Sequence, residues 1–388
     1  MPNRVIYLDN ASTTQVDKRV LTSMRPFLSS IYANPSNIYS SALKAKEAVE
    51  NSRKNIAKFL GAKPQEIIFT SGGTEANNLA IFGSTSNLKK KRIITTAIEH
   101  PSILRPLERL ERDSFEVIKI KPKKNGVIDV REIKKHLNRS TVLVSVMYAN
   151  NEIGTIQPIA EIGKAIQDFN SRNLNSGARP VLFHTDACQA TQYLTMNVKK
   201  LKVDMLTLNG SKIHGPKGMG VLYIKEGLKL EPQILGGEQE NGLRSGTENV
   251  AGIVGLSRAV DLIDKTDKAE TKKIRDYIIS ELLKIKRTRL NGCRTRRLPN
   301  NINISFEGVE GESLVLYLDR RNIFASTGSA CSARSLNPSH VIVAIANEEI
   351  AHSSLRITLS RYNNMNEAKV AVSEIKKSVK KLREVSQR

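Results

Sequence analysis

The sequence predicts an α/β protein. A large domain is built on a mostly parallel sheet flanked by helices, and a smaller α+β domain accompanies it. Three observations carry that expectation. Short apolar runs alternate with amphipathic stretches from about residue 66 to 224. One run, Thr141 to Met147, is apolar-rich throughout, as a strand buried on both faces must be. Polar side chains also gather where the runs end, and that is where open parallel sheets build their sites.

Taken in order, Val5-Ile6-Tyr7-Leu8 is a short strand ending at the polar stretch Asp9 to Thr14. Asn34-Pro35-Ser36-Asn37 is a turn, and Ala42 to Leu60 has helical spacing with Gly61 as its stop. Glu66 to Thr70 reads as a strand, Ser71-Gly72-Gly73 as a tight turn and Thr74 onward as a helix. A strand, two glycines and a threonine opening a helix make an anion cradle, because unpaired N–H groups and the helix dipole face one point. Arg92 to Thr96 is the next strand and ends near His100; Thr141 to Met147 ends near Asn151. The helix Ile159 to Phe169 follows, and then the strand Val181 to Thr185, which ends at Asp186-Ala187-Cys188-Gln189.

Met205 to Leu208 is a buried strand that breaks at Asn209-Gly210, puts Lys212 on a turn, and resumes as Val221 to Ile224. A lysine at a strand end, partly desolvated, keeps free amine for a Schiff base. Thr74, His100, Asn151, Asp186, Gln189 and Lys212 thus stand at five strand ends that converge on one crevice.

Gly236 to Asn249 is a polar, Gly-rich loop too long for a simple turn, so it is expected to be functional. Helices over Val250–Ile263 and Lys268–Lys286 follow, then a strand (Ile302–Phe306) and a helix (Glu312–Asn322). The loop Ala325 to Ser335 carries Cys331; its small residues make it exposed and mobile, a setting for a reactive thiol. A helix over Pro338–Ala346, a strand over Ser353–Leu359 and a basic helix over Asn366–Val385 close the chain. The expected division is 15–262 for the large domain, with 1–14 and 263–388 forming the smaller one.

Composition bounds the function. The net charge of +23 permits an acidic or nucleic-acid partner, but the charge is dispersed and no basic arm supports nucleic-acid binding. Three cysteines give neither a disulfide framework nor metal spacing, so no metal is expected. Cys188, inside an apolar pattern, reads as structural, and Cys293 has no assigned role. No apolar run reaches the ~20 residues a membrane span needs. A soluble, cytoplasmic setting is expected.

A lysine, an aspartate, an anion cradle and a ring-stacking residue together suit pyridoxal 5'-phosphate. The motifs over almost the whole chain resemble the cysteine desulfurases of the NifS/IscS type, fold-type-I pyridoxal-phosphate enzymes of the class-V aminotransferase group. They include Tyr7 to Thr14, Thr70 to Asn78, Glu99-His100, Asn150 to Gly154, Asp186 to Gln189, Lys212 to Gly220, Arg244 to Asn249, Gly328 to Ser335 and Ala351 to Arg356. The resemblance implies that Lys212 carries the cofactor and takes the Cα proton. Asp186 pairs with its ring nitrogen, Gln189 with its hydroxyl, and His100 stacks on it and moves protons. Gly73 and Thr74 hold its phosphate, as does Thr247 across a homodimer interface. Asn151 and Arg356 bind the carboxylate of L-cysteine. Cys331 takes the sulfur as a persulfide, leaving L-alanine, and passes it to an iron–sulfur scaffold protein or to tRNA thiolation.

The sequence departs from that pattern in places. Asn209 and Ser211 stand where the family has Ser-x-His as further phosphate ligands, so rearranged phosphate contacts are expected. Tyr39 replaces a histidine, Glu238 a glycine, and the stretch after Cys331 is one residue short. Two other readings are a selenocysteine lyase or other lyase or transaminase of the class, and a weakly catalytic platform for a scaffold or RNA. An intact Cys331 argues against a transaminase; Lys212, Asp186 and Cys331 argue against a platform.

Overall fold

The computed structural model describes residues 5–173, 179–263, 267–328 and 338–386. Its strands are β1 (Ile6–Tyr7), β2 (Ile67–Thr70), β3 (Arg92–Thr96), β4 (Glu116–Ile120), β5 (Thr141–Ser145), β6 (Leu182–Asp186), β7 (Met205–Asn209), β8 (Gly220–Ile224), β9 (Thr288–Leu290), β10 (Asn301–Phe306), β11 (Ile323–Phe324) and β12 (Ser354–Thr358). Seven form the large sheet in the order β2-β8-β7-β6-β5-β3-β4. The neighbours from β7 through β6, β5 and β3 to β4 are parallel; β8 alone runs against its neighbours β2 and β7. All strands but β8 therefore present their carboxyl ends on one edge.

Sequence explains the centre of this sheet. β5, β6 and β8 are buried along their whole length, and helices cover both faces of the sheet, so continuous apolar runs were required. β5 ends at Ser145, two residues before the apolar run does, yet Val146 N and Tyr148 N still donate to His184 O (3.1 Å) and Asp186 O (2.8 Å) of β6. The helix Ser40–Leu60 stops at Gly61, whose φ of +66° is the left-handed cap that a side chain resists.

A second core gathers Ile6 and Leu8 with Ile274, Phe306, Leu355 and Ile375. It surrounds the antiparallel sheet β12-β10-β9 and the parallel pair β1-β11. We propose the boundary between the two halves at residue 262, with 1–14 joining the second. What matters for the site is how the N-terminal stretch is tied down. Thr358 N donates to Leu8 O (2.7 Å), Asn10 Nδ2 to Thr358 O (2.8 Å) and Ala11 N to Thr358 Oγ1 (2.8 Å). Ala11 and Ser12 are thereby carried to the edge where the large sheet's strands end. Among the described residues no helix is long and apolar enough to cross a membrane.

Candidate active site

At that edge lies a crevice of about 210 Å³. Gly73, Thr74, His100, Asn151, Asp186, Gln189, Asn209 and Lys212 line it from the ends of β2, β3, β5, β6 and β7. Arg356 of β12 and the stretch Ala11-Ser12 close its other side.

The anion cradle is the first turn of the helix Gly73–Thr85, whose N-cap, Gly72, supplies no side-chain cap. A Cβ on Gly73 would come within 2.8 Å of Cys188 Sγ and 3.4 Å of Asn209 Nδ2, so only glycine leaves this floor open. Asn209 ends β7, and its Oδ1 accepts from Ser211 N and Ser211 Oγ, both at 3.0 Å. That leaves the Asn209 amide nitrogen as the group facing the cradle. Ser211 lies outside the lining, with its hydroxyl proton spent on Asn209. Lys212 follows on a short 3₁₀ turn; its Nζ donates to Ala11 O (2.9 Å) and Ser12 O (2.6 Å). Gln189 Nε2 donates to the same Ala11 carbonyl at 3.0 Å.

Asp186, the last residue of β6, is 7% exposed. Its Oδ2 accepts from Asn77 Nδ2 (2.8 Å) and its Oδ1 from Cys188 N (2.9 Å). His100 caps the helix Pro101–Arg112, and its Nδ1 meets Ser102 N at 3.1 Å and Ser102 Oγ at 2.8 Å. Burial is the main force lowering the His100 pKa, helped by the Lys212 and His340 charges and opposed by Asp186. Next to it, Glu99 is fully buried, and burial raises its pKa to about 8 although Thr96 Oγ1 (2.6 Å) and Met147 N (3.0 Å) donate to it. Cys188 lines the crevice floor instead of packing in the core, because β6 ends two residues before it. Burial first, then the Asp186 charge, pushes its thiol well above the usual range, which suits a neutral wall group.

Arg356 is 2% exposed. Its Nη2 donates to Asp9 Oδ1 (2.7 Å) and Ser12 Oγ (2.8 Å), and its Nη1 to Asn151 O (3.3 Å). Its Nε is buried with no partner. An unpaired donor on a buried cation is costly unless a ligand completes it. Thr247 stands outside the crevice, exposed on the loop before the helix Val250–Asp261. That loop is tied back to the cradle helix, where Arg244 Nε donates to Glu75 Oε1 at 2.9 Å.

Cys331 lies outside the described residues. Those bordering its segment bond to the neighbours of crevice residues Asn151 and His100: Ser339 Oγ donates to Glu152 Oε2 (2.5 Å), and His340 Nε2 meets Glu99 O (2.9 Å). Ser326 pairs with Arg356 through the backbone. Among the described residues no cluster could hold a metal ion.

Sequence reasoning missed Asn77, Ser102 and Asp9. Asn77 had a signal, since it lies one turn beyond Gly73 on a helix already read as a cradle. Asp9 gave no sign of its partner Arg356, 347 residues away, whereas Ser102 bonds His100 two residues before it at the helix start.

The groups fit pyridoxal 5'-phosphate. The uncapped helix start and the Asn209 amide suit its phosphate, the neutral-donor-bound Asp186 suits a protonated ring nitrogen, and the Lys212 amine suits its aldehyde.

Comparison with known proteins agrees. The Aminotransferase class-V model matches residues 6–370. The cysteine desulfurase IscS of Dictyoglomus turgidum is 45% identical, covering 99% of this chain and 96% of its own length. Among solved structures, a NifS-like protein superposes with a TM-score of 0.89 at 33% identity, covering 98% of this chain and 99% of its own. SspA in complex with cysteine gives 0.82 at 37%, covering 92% and 99%.

Proposed function

The chain belongs to the class-V aminotransferase family and is a pyridoxal-phosphate-dependent cysteine desulfurase, and on that premise we propose how its own residues divide the work. The observation that carries the assignment is the convergence of Lys212, Asp186, His100 and the Gly73-Thr74 cradle on one crevice, with Arg356 at the far side. Bound pyridoxal 5'-phosphate supplies an electron sink for bond changes at the substrate's Cα and Cβ.

Gly73, Thr74 and Asn209 hold the phosphate, with Ser211 orienting the Asn209 amide. Asp186 receives the ring nitrogen, Gln189 the ring hydroxyl, and His100 covers the ring. Arg356 and Asn151 bind the carboxylate of L-cysteine. Lys212 carries the cofactor and, once released from it, takes the Cα proton on Nζ. The Cys331 thiolate attacks the substrate sulfur, the Cβ–S bond breaks, and L-alanine leaves with sulfur retained as a Cys331 persulfide. An iron–sulfur scaffold protein or a tRNA-thiolation enzyme then accepts that sulfur, in the cytoplasm.

The working unit is a homodimer in this reading. Large apolar side chains stand in water on this chain, with Tyr32 at 79%, Ile38 at 88% and Leu235 at 80% exposure, as a surface awaiting a second copy would have. Thr247, exposed on the adjoining loop, reaches the partner's phosphate.

The test is alanine and sulfide release from L-cysteine with a thiol reductant, for wild type and Cys331→Ala, with the visible absorption of bound cofactor recorded for each. The expected result is that both proteins absorb and only wild type releases sulfide. Sulfide release by the variant at the wild-type rate would remove Cys331 from the mechanism. No visible absorption in either protein would show that Asn209 and Ser211 fail as a phosphate grip.

A further inference from the structure

One amide nitrogen links the two groups that flank the cofactor's ring. Asn77 is 1% exposed, on the helix Gly73–Thr85. Its Nδ2 donates to Asp186 Oδ2 and to Ser102 Oγ, each at 2.8 Å. Its orientation is forced, because the opposite flip would aim the amide oxygen at a carboxylate. Both Nδ2 protons are therefore committed. Ser102 Oγ accepts from Asn77, so its own proton is free to go to His100 Nδ1, 2.8 Å away. The Ser102 backbone N–H points at the same nitrogen. A ring nitrogen that meets two donors is the one without a proton. The neutral imidazole must then carry its proton on Nε2, the nitrogen left for the crevice.

Resting on the desulfurase reading of the crevice, we infer that Asn77 and Ser102 are positioning residues that hold Asp186 and His100 as one hydrogen-bonded unit and fix His100 as the Nε2–H tautomer. The consequence is chemical. His100 can donate from Nε2 but cannot accept a proton there, so base work at Cα falls to Lys212 alone. The unit also sets the angle of the His100 ring against the Asp186 carboxylate, since rotating either breaks a bond to a shared partner.

Other groups bear on the titration of His100. Asp186 faces it from β6, Lys212 from the turn after β7 and His340 from the helix His340–Ile345; Glu99 precedes it in the chain. Removing the Ser102 hydroxyl deletes a donor to the neutral ring, so it raises the proton affinity of His100 whatever those charges contribute.

The experiment uses holoenzyme labelled with ¹⁵N-histidine, with His100 assigned by its loss in His100→Gln. In wild type the expected spectrum has an unprotonated Nδ1 and a protonated Nε2 from pH 6 to 8. In Ser102→Ala the proton affinity of His100 rises about tenfold, and Ser102→Thr returns it to the wild-type value. In Asn77→Leu the Ser102→Ala effect shrinks, because the hydroxyl has lost the donor that aimed it.

A protonated Nδ1 in wild type overturns the inference. So does a His100 titration that is the same in Ser102→Ala and wild type, or fully additive effects of the two substitutions. If Asn77→Leu fails to fold, the wild-type spectrum and the Ser102 pair still decide. None of these readouts requires turnover. A protein that shows the predicted tautomer yet makes no alanine keeps this inference and loses the desulfurase reading. The reverse outcome does the opposite.

Discussion

Among the buried arginines, Arg53 and Arg356 have surroundings that differ in one respect. Arg53, 9% exposed on the helix Ser40–Leu60, has a partner on every guanidinium nitrogen. Its Nη1 and Nη2 grip Glu240 at 2.8 Å each, Nη1 also reaches Ile67 O (2.7 Å), and Nε reaches Glu50 (3.2 Å). Its guanidinium lies 4.8 Å from the centre of the Phe69 ring. Arg356 is just as buried, but its Nε has no partner. A bidentate guanidinium with a partner on each nitrogen is a structural tie. Arg356 instead lines the crevice and has one donor left over. Burial alone does not separate the two roles; a place on the crevice lining does.

The largest expected effect breaks the structural member. Arg53→Met strands Glu240, whose Oε2 also accepts from Phe69 N at 2.8 Å, in a buried place. Removing one partner of a buried pair costs roughly 3–5 kcal/mol. Thermal melting should show the loss, while kcat/KM per folded molecule stays at the wild-type value. If activity fell with stability preserved, Arg53 would belong with Arg356.

The functional member should respond in the opposite way. Arg356→Ala is expected to lower kcat/KM for L-cysteine about 100- to 1000-fold, or roughly 3–4 kcal/mol. Its melting point should fall less than that of Arg53→Met, because Asp9 keeps access to water once released. A variant that melts early yet turns over normally would reverse the two assignments.

The comparison also shows what a sequence can reveal. β3 was legible with its bounds, and the site residues that end β2, β3, β5, β6 and β7 were legible because apolar runs stop there. β4 and β9 were not legible, because an edge strand such as Glu116–Ile120 is half in water and carries charge where a central strand carries valine. The helix Pro101–Arg112 was hidden by its charge and by Pro106. Lys212, Asp186 and Arg356 could be picked out by position and motif. The partners of a guanidinium could not, since Asp9 lies 347 residues from Arg356 and Glu240 lies 187 from Arg53. Nor could the Asn77 link to Asp186, 109 residues away.

Glu99 extends the comparison to a buried carboxyl answered by neutral donors. Its pKa is raised to about 8 in the folded protein from 4.5, so between those values the folded state binds more protons than the unfolded one. Unfolding free energy therefore falls as pH rises through that window, by up to about 1.4 kcal/mol per pH unit, and is unaffected by Glu99 below it. Glu99→Gln, neutral at every pH, should flatten that slope in denaturant melts taken from pH 5 to 8. An unchanged slope would mean that Glu99 is ionised and answered, like Glu240.

The smallest effect concerns what Asp9 does for Arg356. It could hold the guanidinium in place or simply neutralise it, and two substitutions separate these roles. Asp9→Asn keeps an acceptor for Nη2 and removes the charge. Asp9→Ala removes both. If Asp9 is a holder, Asn should leave KM for L-cysteine unchanged or slightly lower, since the substrate carboxylate then meets a less neutralised cation. Ala should raise KM about tenfold, roughly 1.4 kcal/mol, as the unheld side chain loses its angle. If neutralisation is its purpose, both variants should bind the substrate more tightly and release alanine more slowly. The sign of the Ala effect on KM decides between the two. A rise would make Asp9 part of the binding site through geometry, and would place the N-terminal stretch, which also holds Lys212 through Ala11 and Ser12, among the elements that set substrate position.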